Sequence, residues 1–354
     1  MHMADALLAP AVAGTMYVAS AAAIGTSVHT LRKDETPAKL PTMAVTAALV
    51  FAGQMINYTI PGTGSSGHLC GGMMLSALLG PQAGFLSMAV ILAIQCLFFA
   101  DGGLMALGAN IWNMAFYGCF VGYYLIWRPI VGGSWFAGLG GKKAGRAKII
   151  TASILGCVVT LQLGAFSVVL ETALSGVADL PFGAFVALMQ PIHLAIGLVE
   201  GLITSAVTLF VYETRPELLQ CVNTGSLENR CSLKTTVAVL AVVAIVVAGG
   251  LSLLASSNPD GLEWSLFGNT DAGYSENMGL DEENFGLQSG LADSAAAIQE
   301  KTAFLPDYAF SGSDSAAGTT VSGLVGSAMV AAVAVGICAL GGFFRRKKAS
   351  SAKA

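Results

Sequence analysis

Apolar runs alternate with short polar breaks along most of the chain, and many are long enough to cross a bilayer, which takes about 17 to 25 residues. The first run extends from about Leu7 to Leu31, and a second, Thr42 to Ile60, leads into a glycine-rich loop, GTGSSGHLCGG, that carries His68. A short helix is expected over Leu69 to Leu79, turning at Gly80-Pro81. Spans are then expected over Ala83 to Ala100, Leu104 to Trp127, Ile149 to Leu170, Ile192 to Tyr212, Thr236 to Leu254 and Val321 to Phe344. The pattern predicts an all-α, polytopic integral membrane protein with a seven-helix core and two further transmembrane helices. The one long polar segment, 257–318, falls between those last two helices.

Composition agrees with this class. Hydrophobic residues make up 55% of the chain and charged residues 11%, against about a quarter charged in soluble domains, and the mean hydropathy is +0.70. The net charge of −4 is less informative than where the charges fall. Arg32, Lys33 and Lys39 follow the first span; Arg128, Lys142, Lys143, Arg146 and Lys148 follow the fifth helix; Arg215, Arg230 and Lys234 follow the seventh; Arg345 to Lys348 close the last. All four clusters fall on one side of a nine-helix path, and the positive-inside rule makes that side cytoplasmic. The N-terminus and the His68 loop are then outside, and the C-terminus inside. A cleaved signal peptide is the rival reading of the first span, since VASAAA resembles a cleavage site, but no Lys or Arg precedes the apolar stretch and Asp5 stands where positive charge is expected. The polar segment carries Asp260, Glu263, Asp271, Glu276, Asp281, Glu282 and Glu283 against Lys301. It reads as a solvated loop poor in core-forming residues, with gathering of cations as the other reading.

Candidate chemistry lies at the extreme N-terminus. In Met1-His2 a free amine, an amide nitrogen and an imidazole Nδ1 can close a five- and a six-membered ring on one metal ion. The planar all-nitrogen set suits Ni(II) and Cu(II), and less readily Co(II), and a second imidazole such as His68 completes it. Buried polar groups are costly in a membrane unless they are paired or face a cavity. Gln54 and Asn57, Gln95 and Asp101, and Asn110 and Asn113 lie toward the outer ends of their spans, where they can orient the imidazoles or bond helices together. His193 is a further candidate for orienting the ligands or lining the way in, whereas His29 lies at the opposite end of the first span. Glu171 and Glu200 are the remaining carboxylates within spans and keep a proton-coupled mechanism open. The seven cysteines fit no zinc pattern. No GxxxxGK[ST], HExxH or GxSxG sequence is present, so the chain is expected not to be an enzyme and not to hydrolyse ATP.

FAGQMINYTIPGTGSSGHLCGG, followed by LLGPQAGFLSMAVILAIQCLFFADGGLMALGANIWNM, resembles the CbiM/NikM family, the substrate-binding membrane subunits of energy-coupling-factor cobalt and nickel transporters of prokaryotes. PIHLAIGLVEGLIT is similar to that family's last core helix, and PDGLEW at Pro259 to Trp264 with LPDY at Leu305 to Tyr308 resembles a fused PDGLE module of the NikN/CbiN kind. The resemblance implies a metal-binding core over 1–220, a cytoplasmic linker over 221–235 and the fused module over 236–348. It also implies that Ni(II) or Co(II), as transported substrate and without an organic cofactor, is held by Met1, His2 and His68. The implied partners are a transmembrane coupling subunit and two cytoplasmic ATPases. Ala44, Ala48 and Ala52 form a small-residue stripe suited to meeting that coupling subunit or to internal packing. The chain departs from the family in reading MHMADA for MHIPDG and GTGSSGH for GGTSGH. A self-sufficient secondary cation transporter and a metal-binding scaffold or sensor are the alternatives.

Overall fold

The computed structural model describes residues 1–31, 40–133, 145–177, 180–223, 227–274, 277–278, 280, 285–310 and 316–351. Arg32, Lys33, Lys39, Lys142, Lys143, Glu276, Asp281, Glu282 and Glu283 lie outside the described residues, as do the side chains of Cys338 and of Arg345 to Lys348. The first helices are α1 (Pro10–Leu31) and α2 (Leu40–Gln54), followed by a small antiparallel hairpin of β1 (Tyr58–Ile60) and β2 (Ser65–Gly67) that pairs Tyr58 with Gly67 and Ile60 with Ser65. Next come α3 (Gly72–Leu79), α4 (Pro81–Phe99) and α5 (Leu107–Asn110), which runs on as a π-helix over Ile111–Gly132. The core ends with α6 (Arg146–Ser175) and α7 (Phe182–Thr214). The remainder is α8 (Leu233–Gly249), α9 (Gly261–Phe267), α10 (Gly290–Thr302) and α11 (Ala316–Ser351).

Among the described residues five helices are long and apolar enough to span: Pro10–Leu31, Pro81–Phe99, Arg146–Ser175, Phe182–Thr214 and Ala317–Gly336. Pro41–Gln54 and Leu233–Gly249 are apolar but shorter. The second span therefore stops at Gln54, before its expected end, because the chain leaves the helix to make the hairpin that carries it to His68. The seventh helix begins at Phe182, since Pro191 lies inside it and does not start it. Val18, Leu125, Leu202, Val242 and Ile245 are large, apolar and exposed. At the centre, α3 is buried along its whole length. It approaches the Ile111–Gly132 helix at two glycines, where a Cβ on Gly72 would lie 3.0 Å from the Met114 carbonyl oxygen and one on Gly118 would lie 2.9 Å from Gly72 Cα. Glycine at both positions lets the two backbones touch.

Two expectations are corrected here. The polar segment is not a solvated loop throughout, since it contains α9, α10 and a turn at Pro306–Tyr308 that pack onto the hairpin end of the core. Asp260 and Glu263 form a capping box at the start of α9, a device that satisfies two otherwise unpaired donors, and Leu262 and Leu266 bury one face of that helix. The Ala44, Ala48, Ala52 stripe is buried within the chain, with exposures of 6%, 9% and 0%, and the Ala48 carbonyl accepts from Ser327 Oγ of α11. Internal packing, the other reading of this stripe, is what the described residues show.

Candidate metal centre

Residues 1–6 do not fray. They lie as a strap across the hairpin end of the core, tied by main-chain groups that only specific neighbours can satisfy. Met3 N–H donates to Asn110 Oδ1 at 2.8 Å, and the Met3 carbonyl accepts from Asn110 Nδ2 at 3.2 Å and from Gly103 N at 2.9 Å. Asp5 Oδ1 accepts from Ala106 N at 2.9 Å, and the Ala6 carbonyl accepts from Leu287 N at 2.8 Å. The Asp101-Gly102-Gly103 turn makes room for the strap. A Cβ on Gly102 would lie 3.3 Å from His2 Cβ, and one on Gly103 would strike the Asp5 carboxylate. Asn113 Nδ2 completes the support, facing Met3 Sδ at 3.6 Å and donating to Glu171 Oε2 at 2.8 Å.

The His68 loop is fixed from the other side. Both Glu200 oxygens accept main-chain donors, Oε1 from Gly71 N at 2.9 Å and Oε2 from Cys70 N at 3.0 Å. Gln54 Nε2 donates to the Cys70 carbonyl at 2.8 Å, and Gln95 Nε2 in turn donates to Gln54 Oε1 at 2.9 Å. His68 Nδ1 lies 3.1 Å from the Leu69 carbonyl oxygen. A carbonyl can only accept, so that nitrogen carries a proton.

Strap and loop bring Met1, His2 and His68 together. The two imidazoles stack with centroids 5.3 Å apart and planes 20° from parallel, and Met1 and His68 line one small cavity with Cys70, Met114, His193 and Asp260. The Met1 nitrogen donates to Asp260 Oδ2 at 2.9 Å, and His68 Nε2 lies 3.7 Å from the same oxygen. The expected chelate needs His2 Nδ1 turned toward its own amide. Here that nitrogen lies 3.1 Å from Asp101 Oδ1, and His2 Nε2 is buried without a hydrogen-bond partner, so closing the six-membered ring requires the imidazole to turn. Among the described residues no three His, Cys, Asp or Glu side chains stand as a metal-holding group. A metal at this place therefore depends on main-chain nitrogens as well.

Charge is arranged to suit such ligands. Burial lowers the His2 imidazole to about 4 against the opposing pull of Asp101, which keeps it neutral, the form that binds metal. For Asp260, burial pushes the carboxyl up, but the Met1 ammonium and His68 together outweigh it and hold the group well below its usual range. Asp101 also accepts from Tyr308 Oη at 2.6 Å. His193 Nδ1 bonds the Met189 carbonyl at 2.8 Å, and its Nε2 is buried and unpartnered at the cavity wall.

The sequence-derived residues thus fall into groups. Gln54, Gln95, Asp101, Asn110 and Asn113 hold the strap or the His68 loop, whereas the Asn57 carbonyl bonds Ser256 N at 2.7 Å. His29 is exposed near the far end of α1. Sequence reasoning missed Asp260 and Tyr308 as members of this centre and read Glu200 only as a proton relay. The motifs PDGLEW and LPDY contain both missed residues.

Comparison with known proteins agrees with this architecture. Residues 2–218 match the family model described as the cobalt uptake substrate-specific transmembrane region, and residues 234–341 match the PDGLE domain. A putative fused nickel transport protein NikMN of Archaeoglobus fulgidus is 34% identical over 94% of this chain and 96% of its own length. The fused nickel transport protein NikMN of Rhodobacter capsulatus is 30% identical over 94% of this chain and 95% of its own. A cobalt transport protein CbiM of Sorangium cellulosum is 29% identical over 62% of this chain and 94% of its own. A crystal structure described as a truncated transition metal transporter aligns with 60% of this chain and 99% of its own, with 29% identity and a TM-score of 0.51. With matching family models over both parts and fused relatives aligned nearly end to end, the chain belongs to the CbiM family of cobalt and nickel transport membrane proteins, joined to a PDGLE domain.

Proposed function

We propose that this chain is the substrate-binding component of an energy-coupling-factor importer, capturing Ni(II) or Co(II) outside the cell through the Met1 amine, the His2 amide and imidazole, and His68 Nε2. The observation that carries the reading is the meeting of a free amine and two stacked imidazoles, with Met1 and His68 lining one small cavity, and so much structure spent on holding the segments that bear them. Nickel is preferred, because an amine, an amide nitrogen and two imidazoles match its planar geometry. The nickel transport named for the fused relatives supports the same choice.

Capture is followed by release inward, and nothing in this chain hydrolyses ATP. A transmembrane coupling subunit and two cytoplasmic ATPases supply that work, with the N-terminus extracytoplasmic and the C-terminus cytoplasmic. A proton-coupled transporter acting alone is the competing mechanism, and the buried, unpartnered Glu171 Oε1 is its best support. Reconstitution separates the two. Purified chain in vesicles, with and without the coupling subunit and ATPases, is loaded with radioactive nickel. Uptake that needs ATP and partners, and that His68→Ala abolishes, supports the importer. Uptake by the chain alone under a proton gradient, lost in Glu171→Gln, overturns it.

A further inference from the structure

Asp260 belongs to the PDGLE domain, yet its carboxylate is built into the centre formed by the N-terminal part of the chain. Its two oxygens have separate tasks. Oδ1 caps α9, accepting from the main-chain nitrogens of Leu262 and Glu263 at 2.8 and 2.9 Å. Oδ2 faces away from that helix, 2.9 Å from the Met1 nitrogen and 3.7 Å from His68 Nε2. Capping needs an oxygen but no charge, since Asn and Ser cap as well as Asp. What Oδ2 adds is charge at the ligands.

The neighbouring groups fix it there. Ser66, two residues before His68, donates its main-chain N–H to the Pro259 carbonyl at 2.8 Å, and its hydroxyl reaches the Asn258 carbonyl at 2.8 Å. Gly261 lets the turn sit against α7, because a Cβ there would lie 2.9 Å from Ile196 Cδ1 and 3.1 Å from His193 Cε1. Pro259, Asp260 and Gly261 each have a task at one point of the core.

We infer that Asp260 is the counter-ion of the metal centre, neutralising the Met1 ammonium in this structure and the metal complex once the amine has become a ligand. The inference rests on metal being held by Met1, His2 and His68 as proposed above. The placement of Oδ2 carries it: that oxygen lies 2.9 Å from the Met1 nitrogen and 3.7 Å from His68 Nε2, and neither contact is needed for the helix cap. The cavity beside these groups is also lined by Met114, Leu161 and Ile196, and an unpaired charge in apolar surroundings is strongly disfavoured.

Asp101 faces His2 and Tyr308, both Glu200 oxygens are taken by main-chain donors, and Glu171 accepts from Asn113. The second domain therefore supplies the carboxylate that lies against Met1 and His68.

The test is Asp260→Asn in the full-length purified protein, with the Ni(II) dissociation constant measured by chelator competition and the absorption spectrum of the bound ion recorded. The amide keeps the α9 cap, and Asp260→Ser repeats the measurement with a second capping residue. Glu263→Gln removes an equal charge one turn along α9 as a control. The expected result is tenfold to hundredfold weaker binding in both Asp260 variants, the range seen when groups supporting metal ligands are removed, with an unchanged spectrum and a change within about twofold in the control. Binding equal to wild type overturns the inference and leaves Asp260 a helix cap, while the ligand set stands. Tighter binding also overturns it, showing that the carboxylate competes with the metal. A wild-type protein that binds no nickel removes both the ligand set and the counter-ion.

Discussion

His2 shows how one residue is prepared for its task. Burial lowers its imidazole to about 4, so in mild acid it keeps the neutral form that the proposed metal site needs. The folded chain resists a proton that the unfolded chain accepts near pH 6.5, so this group's contribution to stability is complete above pH 6.5 and is lost as pH falls from there toward 4, by at most about 1.4 kcal/mol per unit. Melting of the detergent-solubilised protein should therefore decline more steeply between pH 6.5 and 4 in wild type than in His2→Gln. Equal slopes would show that His2 is not desolvated. Asn110 acts on the same segment through both its donor and its acceptor. Asn110→Ala should weaken nickel binding tenfold to hundredfold without removing a ligand, and an unchanged dissociation constant would mean that the strap holds without it. At this scale the meeting of Met1, His2 and His68 was foreseeable, because a histidine at position two and a histidine in a glycine-rich loop each carry local meaning. Asp260 was not, because its partner is the chain's first residue and no local pattern announces a contact across most of the sequence.

Among the elements, the strap matters most and has no regular structure beyond the turn at Asp5–Leu7. Its course depends on Gly103, where any side chain would strike Asp5. Gly103→Ala should displace residues 2–5, cost about 1–3 kcal/mol of stability and reduce bound nickel, which thermal melting and metal analysis together can check; retention of full metal content would show that the strap can shift without harm. The α9 segment teaches the opposite lesson about reading sequence. Its average composition is polar, and that average hid a short helix with a capping box and two leucines four residues apart, both buried. The alanine stripe misled for a related reason. A small-residue pattern states that another helix comes close but not whose helix it is, and here it is α11 of the same chain.

Across the whole molecule the two ends differ in chemistry. Met1, His2, His68 and Asp260 gather at one end, while Arg128, Gly80 and Gln220 line a cavity at the other, where Arg146 and Arg230 pair with Glu213. Hydropathy gave this long axis well, because spans and their basic flanks are both local features, whereas which helices pack together depends on side chains distant in sequence. Under the proposed orientation Cys221 and Cys231, both partly exposed near the basic end, face the cytoplasm. A membrane-impermeant thiol reagent should leave the wild-type chain unlabelled in intact cells, label it after permeabilisation, and label Thr63→Cys on the hairpin in intact cells. Labelling of the wild type in intact cells would reverse the orientation. The central claim, that a metal ion is held at the very start of the chain, is tested most directly by the nickel and cobalt content of the purified protein with its authentic N-terminus, beside a variant with one alanine inserted between Met1 and His2. The insertion keeps every side chain but moves the amine and changes the chelate rings. About one metal ion per wild-type chain and none in the variant is the predicted result; equal binding by both, or binding by neither, contradicts it.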